Sequence, residues 1–157
     1  MNSIASNYLK NRDFKTHVYG DVVDQSFYIW KVPNLWTYAA NFATESVPLK
    51  TLVSEIDRMR WFNPAMPPTI RRIVSHCIKI QHADLSYPIL LGPRGQVIDG
   101  SHRLAKALLE GHDSIDAIRL TAMPSPDLVT DTVAEGMEAI QNGLQPKTQE
   151  HSATVGH

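Results

Sequence analysis

The chain has 157 residues, 43% of them hydrophobic, and its 15 basic and 16 acidic side chains give a formal net charge of -1. This composition predicts one globular domain with tails and does not support a strongly basic nucleic-acid binder. The lone Cys77 excludes an internal disulfide and a cysteine-based zinc site. No apolar run is long enough to span a membrane, and no signal-peptide pattern is visible, so the cytoplasm is the expected location.

Residues 1–24 are polar and without a regular pattern, so we predict a flexible N-terminal arm. A domain is predicted over residues 25–143 and a disordered tail over residues 144–157. The first strand is predicted over residues 26–32, which are rich in aromatic and β-branched side chains. Pro33 ends this strand, and a short helix is expected from Asn34 to Phe42. The aromatic side chains of this region either belong to the core or line a ligand pocket.

The middle of the chain predicts two helices joined by a loop. A short strand near residues 46–49 leads into a helix to residue 58, and residues 61–68 are too rich in proline to be helical. Residues 69–82 carry the strongest helical pattern, with apolar side chains recurring at helical spacing: Ile70, Ile73, Val74, Cys77 and Ile78. We therefore expect Cys77 to be buried in the core. The basic residues on the opposite side form a solvated face or supply phosphate contacts.

A strand, a turn, a second strand and a helix are predicted over residues 88–111, and this is the stretch that the rest of the chain is organised around. The turn is Gly92-Pro-Arg-Gly95, and Asp99-Gly100 breaks the second strand. Ser101 is expected to cap the helix, which Gly111 ends. The first amides of a helix lack internal partners and favour anions, and His102 and Arg103 add two donors there. The stretch is therefore either a phosphate site or an ordinary strand-to-helix turn.

The last elements of the predicted domain are a strand over residues 114–120 and a helix over residues 128–142. The seven histidines show no spacing typical of metal ligands, so structural roles are expected for them. No Gly-rich loop with a following Lys-Ser or Lys-Thr, no nucleophile elbow and no dinucleotide fingerprint is present.

The segment Val97-Ile-Asp-Gly-Ser-His-Arg-Leu-Ala-Lys-Ala107, followed by Gly111 and residues 115–118, resembles the ParB/sulfiredoxin superfamily over about residues 46–120. The resemblance implies an α/β fold with a small mixed sheet of about four or five strands and surrounding helices. It also implies binding of a nucleotide, which is CTP in ParB and ATP in sulfiredoxin. Gly100, Ser101, His102 and Arg103 would contact its phosphates, and Asp99 would be a magnesium ligand or a base.

Two differences from the superfamily narrow the range of activities that the resemblance implies. Sulfiredoxin has a cysteine where this chain has Ser101, and a hydroxyl does not replace a thiolate, so sulfinic acid reduction is not expected. No helix-turn-helix region follows the box, which argues against a complete partition protein. The free serine kinases have the most similar box, Asp-Gly-His-His-Arg, and place a catalytic glutamate early in the domain. Glu55 lies near that place, either as a base or as a surface residue paired with Arg58.

We therefore expect ATP or another nucleotide and Mg²⁺ to bind, with phosphoryl transfer to a small hydroxylated metabolite or hydrolysis on its behalf. Asp99 and Glu55 are the candidate catalytic residues. The alternatives are a ParB-like DNA-binding or nuclease module, with Arg58, Arg60, Arg71, Arg72 and Lys79 on phosphates, and a domain that senses a nucleotide without turning it over. No membrane partner is expected, and the oligomeric state is left open.

Overall fold

The computed structural model describes residues 2–10 and 17–144. These residues form, in chain order, α1 (Ser3–Lys10), β1 (Val18–Val23), β2 (Ser26–Lys31), α2 (Val32–Ala39), β3 (Thr44–Pro48), a 3-10 turn (Leu49–Leu52), α3 (Val53–Ile56), α4 (Ile70–His82), β4 (Ile89–Leu91), β5 (Val97–Asp99), α5 (Ser101–Leu109), β6 (Ser114–Arg119), β7 (Leu128–Thr130) and α6 (Val133–Gln141). The predicted α/β class is confirmed. None of the helices among these residues is long and apolar enough to cross a membrane.

The strands form two sheets, where the sequence predicted one. The larger sheet has the order β3-β6-β4-β5 and is mixed, because β4 runs parallel to β6 while the other pairs are antiparallel. This sheet matches the predicted small mixed sheet. The second sheet, β1-β2-β7, is antiparallel and joins strands from both ends of the described chain.

The prediction of an irregular arm over residues 1–24 was wrong for the residues that the structure describes. Residues 3–10 form α1, and residues 18–23 form β1 against β2. Tyr8 is only 3% exposed, and its ring centroid lies 4.5 Å from that of Trp36. The polar sequence concealed this because α1 buries just Ala5 and Tyr8, too few apolar positions to mark a helix. Residues 1 and 11–16 lie outside the described part.

The predicted helix over residues 128–142 is also corrected. Residues 128–130 form β7, which pairs with β2, and α6 begins only at Val133. Thr132 caps this shorter helix, since its side chain accepts a hydrogen bond from the backbone N–H of Glu135. The predicted tail falls on residues 144–157, of which residues 145–157 lie outside the described part.

Two apolar cores lie on opposite faces of the larger sheet, because successive side chains of a strand point to opposite sides. Leu90 packs with Trp30, Trp36 and Ile98 in one core, which confirms that the early aromatic residues are core residues. Ile89 and Leu91 belong to the other core, together with Leu104 of α5. This double cover fixes the position of β5 and of the helix that follows it.

Helix α4 forms where it was predicted, but its apolar side does not face either core. Ile70 is 84% exposed, and Ile73, Val74 and Ile78 are also exposed. Cys77 is exposed as well, so the prediction that it is buried was wrong. The helix contacts α5, and its partly buried residues, His76 and Ile80, lie at one edge of the apolar stripe, since Ile80 is seven residues after Ile73. Helical spacing predicted an amphipathic helix correctly but did not predict which side would be covered.

Candidate functional site

The junction between β5 and α5 is built around Gly100. Gly100 precedes the first helical residue with a φ of 102°, so it, and not Ser101 as predicted, is the N-cap residue. A Cβ atom there would lie 2.6 Å from Cγ2 of Ile89, so only glycine fits both the backbone and the packing. No side chain caps the helix, which leaves the first amides of α5 to other partners.

The N-terminus of α5 faces a cleft of about 730 Å³. All five residues of the Asp99–Arg103 box line this cleft. Other elements contribute further side chains to its walls: Tyr8, Arg60, Trp61, Lys79, His82 and Tyr87. A helix N-terminus without a side-chain cap, Arg60 and Lys79 are thus brought to one cavity together with the carboxylate of Asp84. With Arg103 and Asp99 included, the lining carries three positive and two negative charges, a net charge of +1, which favours an anion.

Asp99 is bonded to the N-terminal part of the chain. Its Oδ2 atom accepts hydrogen bonds from Trp36 Nε1 at 3.0 Å, from the Tyr8 hydroxyl at 3.1 Å and from Arg103 Nη2 at 3.4 Å. The side chain is 14% exposed. Three donors on one oxygen hold this carboxylate in place.

Arg103 is buried, with 4% of the residue exposed. Its Nη1 donates to the hydroxyl of Tyr8, and its guanidinium carbon lies 4.5 Å from the centroid of the Tyr8 ring. The buried Nε has no hydrogen-bond partner among the described residues. The guanidinium therefore pairs with Asp99 and Tyr8 inside the fold. This is a structural role for Arg103 in place of binding a phosphate. Its Nε is a buried donor that the described residues leave unsatisfied.

His102 belongs to a stacked aromatic cluster with His76 and Trp61. His76 Nδ1 and His102 Nε2 share a hydrogen bond at 2.9 Å, and the Trp61 ring stacks on both imidazoles at centroid distances of 4.5 Å and 4.7 Å. Trp61 Nε1 donates to the Ser101 hydroxyl at 3.2 Å. Burial, with a smaller contribution from nearby Lys79, lowers the pKa of His76. The cluster fixes the 61–62 loop and α4 against the start of α5.

Glu55 connects α3 to the larger sheet. Its Oε2 atom accepts hydrogen bonds from Arg60 Nη2 and from the backbone N–H of Val97, both at 2.9 Å. Its Oε1 atom lies 3.6 Å from Arg58 Nη1, so the predicted alternative of a pair with Arg58 is present. Glu55 lines a second cavity of about 220 Å³, and Arg60, Trp61 and Ser101 line both cavities. The two candidate carboxylates thus lie on adjoining cavities and are each held by several donors.

Sequence reasoning missed Tyr8 and the stacked pair of Trp61 and His76. Tyr8 lies in a polar segment, and Trp61 lies in a proline-rich loop whose sequence predicts only that it is not helical. Arg60 was considered for nucleic acid alone, but it lines both cavities. Its Nη2 donates to Glu55 and to the carbonyl of Val97, and the described residues offer no partner to its Nε and Nη1.

No group of three or more His, Cys, Asp or Glu side chains in residues 2–10 and 17–144 is placed to hold a metal ion. Mg²⁺ commonly takes one or two carboxylates and completes its shell with water and phosphate oxygens, so Asp99 alone fits a nucleotide-bound Mg²⁺ and not a dedicated protein site. Comparison of the chain with family models, with curated proteins and with solved structures gave no match.

Proposed function

We propose that the cleft at the N-terminus of α5 binds a nucleotide, and that the protein uses ATP to phosphorylate a small hydroxylated metabolite or to drive a step on its behalf. The observation that carries the proposal is the start of α5. Gly100 gives it no side-chain cap, and its first turn opens into a cleft of about 730 Å³. The proposal extends the resemblance of the Asp99–Arg103 box to the ParB/sulfiredoxin superfamily, and it places the reaction in the cytoplasm.

In this proposal the phosphates lie against the amides of the first turn of α5 and the glycine before it. Lys79, which lines the same cleft, neutralises part of their charge. Arg103 acts mainly by holding Asp99, because its Nη groups are used within the fold. A bound Mg²⁺ would offset phosphate charge, with Asp99 as its protein ligand.

The transfer step needs an acceptor hydroxyl beside the terminal phosphate. The hydroxyl oxygen forms a bond to the γ-phosphorus, the bond between that phosphorus and the bridging oxygen breaks, and ADP leaves with the electron pair. The hydroxyl proton passes to a carboxylate, for which Glu55 is the candidate on the second cavity. Water in place of the acceptor gives hydrolysis to ADP and phosphate.

Calorimetric titration with Mg·ATP tests the proposal, and Ser101→Glu is the informative variant. A glutamate in the first turn suits the helix dipole, so α5 is expected to stay folded, while its charge repels phosphate. We expect ATP affinity to fall about tenfold or more. Ser46→Glu introduces the same change at an exposed position of β3 outside both cavities and is the matched control. Equal ATP affinity in the two variants, or no ATP binding by the wild type, contradicts the proposal.

A DNA-binding function is the second candidate, because α4 has exposed Arg71, Arg72 and Lys79 and no acidic residue. Such a helix can contact backbone phosphates without reading sequence. A gel-shift titration at several salt concentrations separates the candidates. Binding with a steep salt dependence that Arg71→Gln and Arg72→Gln reduce supports the DNA module. ATP binding without turnover supports the nucleotide sensor.

A further inference from the structure

The smaller cavity lies between α3, the loop that follows it, and α5. Its floor is apolar and is built by Ile56, Met59, Phe62, Leu104, Ala105 and Leu108. Its volume of about 220 Å³ corresponds to roughly seven water molecules at about 30 Å³ each. A ligand of roughly seven to ten non-hydrogen atoms therefore fits, which is the size of a small metabolite and too small for a nucleotide.

The charged groups of this cavity are confined to Glu55, Arg58 and Arg60, so its lining carries a net charge of +1. Glu55 is already bonded to Arg60 and to the backbone of Val97. Arg60 keeps its Nε and Nη1 without partners among the described residues, and the Arg58 side chain is 60% exposed at 3.6 Å from Glu55. A single unbalanced positive charge above an apolar floor complements one negative charge on an apolar body.

We propose that this cavity binds a small monocarboxylate with an apolar body. The carboxylate would pair with the free donors of Arg60 and with Arg58, and the body would lie on Leu104 and Phe62. The net charge of +1 matches a carboxylate, whereas a phosphate monoester carries close to two charges. The inference rests on the proposed function in one respect, since it names the chemical class of the phosphoryl acceptor.

The position of Ser101 connects this cavity with the proposed reaction. Ser101 lines both cavities, and its hydroxyl oxygen accepts a hydrogen bond from Trp61 Nε1. The hydroxyl can therefore still donate its own proton to a ligand oxygen. The end of an acceptor that lies near Ser101 in the smaller cavity would therefore be close to the start of α5, where the nucleotide phosphates are proposed to lie.

The test is a titration of the protein with benzoate in the absence of nucleotide, and NMR and calorimetry measure the binding. Benzyl alcohol has the same ring without the charge, and glycolate has the charge without the ring. We expect benzoate to bind with a Kd of about 1 mM or tighter and the other two at least about tenfold more weakly. The amide shifts should centre on Leu104 and Ala105. Equal affinity for benzyl alcohol, or shifts elsewhere on the protein, overturns the proposal.

Two variants isolate the cavity. Ala105→Leu fills it from α5 with a good helix former and should weaken benzoate binding at least about tenfold. Arg58→Gln removes a half-exposed charge and should weaken it about threefold to tenfold. Arg119→Gln is the control and should change nothing, because Arg119 lies on β6 outside the cavity and pairs with Glu45 as Arg58 pairs with Glu55. Unchanged benzoate affinity in Ala105→Leu overturns the proposal. Benzoate binding with no ATP binding contradicts the proposed function alone, and ATP binding with no benzoate binding contradicts the cavity alone.

Discussion

Replacing Arg103 by methionine tests whether this arginine stabilises the fold or binds a ligand. The guanidinium donates to Asp99 Oδ2 and to the Tyr8 hydroxyl, and the side chain is 5% exposed. Methionine keeps the length and apolar stem but leaves Asp99 with a largely buried charge and two neutral donors, Tyr8 and Trp36. The change is therefore expected to destabilise the protein.

The magnitude follows from the loss of one partner of a mostly buried ion pair. Such losses cost about 3–5 kcal/mol where both charges are fully buried. Asp99 is 14% exposed and keeps its hydrogen bonds from Tyr8 and Trp36, so a lower cost of about 2–4 kcal/mol is expected. With a urea dependence of about 2 kcal/mol per molar, the unfolding midpoint should fall by about 1–2 M. Arg103→Lys keeps the charge but loses the two parallel donors of the guanidinium, so its unfolding midpoint should lie between those of the wild type and Arg103→Met.

Urea unfolding followed by Trp fluorescence gives these midpoints, and Mg·ATP titration of the folded variants gives their affinities. Arg58→Met is the control, because its side chain is 60% exposed and its loss should cost below about 0.5 kcal/mol. An Arg103→Met midpoint equal to that of the wild type, together with a tenfold to hundredfold loss of ATP affinity, would refute the reasoning. Arg103 would then be the phosphate ligand that the superfamily resemblance implies.

Three further predictions concern single residues. Exposed Cys77 should react with a thiol reagent in the native protein at a rate within about tenfold of that in urea, and strong protection would contradict its position. Gly100→Ala should cost about 3 kcal/mol or more, because its φ is 102° and the new Cβ would meet Ile89 at 2.6 Å. Gly111→Ala, at a φ of 72° with no atom within 4 Å, should cost only about 1–2 kcal/mol in the same unfolding assay. The pKa of His76 lies below its ordinary 6.5, so the unfolded chain takes up its proton first and stability falls as pH drops below 6.5. NMR titration should show this low pKa, and Lys79→Gln should raise it part of the way.

The stretch from β4 to α5 was predictable because local signals there agree with one another. Short apolar runs mark β4 and β5, turn residues separate them, and a glycine stands at each end of α5. Each of these signals acts within a few residues, so no long-range contact was needed to read them. The one local error, Ser101 as the N-cap in place of Gly100, is a shift of one residue.

The errors of prediction lie where distant parts of the chain decide the structure. Helix α1 is held by the contact of Tyr8 with Trp36, and β7 exists because it can pair with β2, whose paired residues lie 99 to 103 positions earlier in the chain. The same segment read alone has helical spacing. Which residues of α4 are buried depends in the same way on what the neighbouring elements cover. Helical spacing alone therefore could not predict that Cys77 is exposed.

The five residues of the Asp99–Arg103 box divide into two roles that a motif alone does not distinguish. Asp99 and Arg103 are four residues apart across the start of a helix, so their side chains meet on one side and fix β5 to α5 and α1. Gly100, Ser101 and His102 lie between them and line the same cleft without taking part in that ion pair, and Trp61 holds the last two through a hydrogen bond and a stacked ring. Asp99 and Arg103 stabilise the junction of β5 with α5 and α1 whatever the cleft binds. Their presence in the sequence is therefore evidence for the fold. Evidence for the ligand has to come from the three inner residues and from Arg60 and Lys79, which other parts of the chain bring to the same cavity.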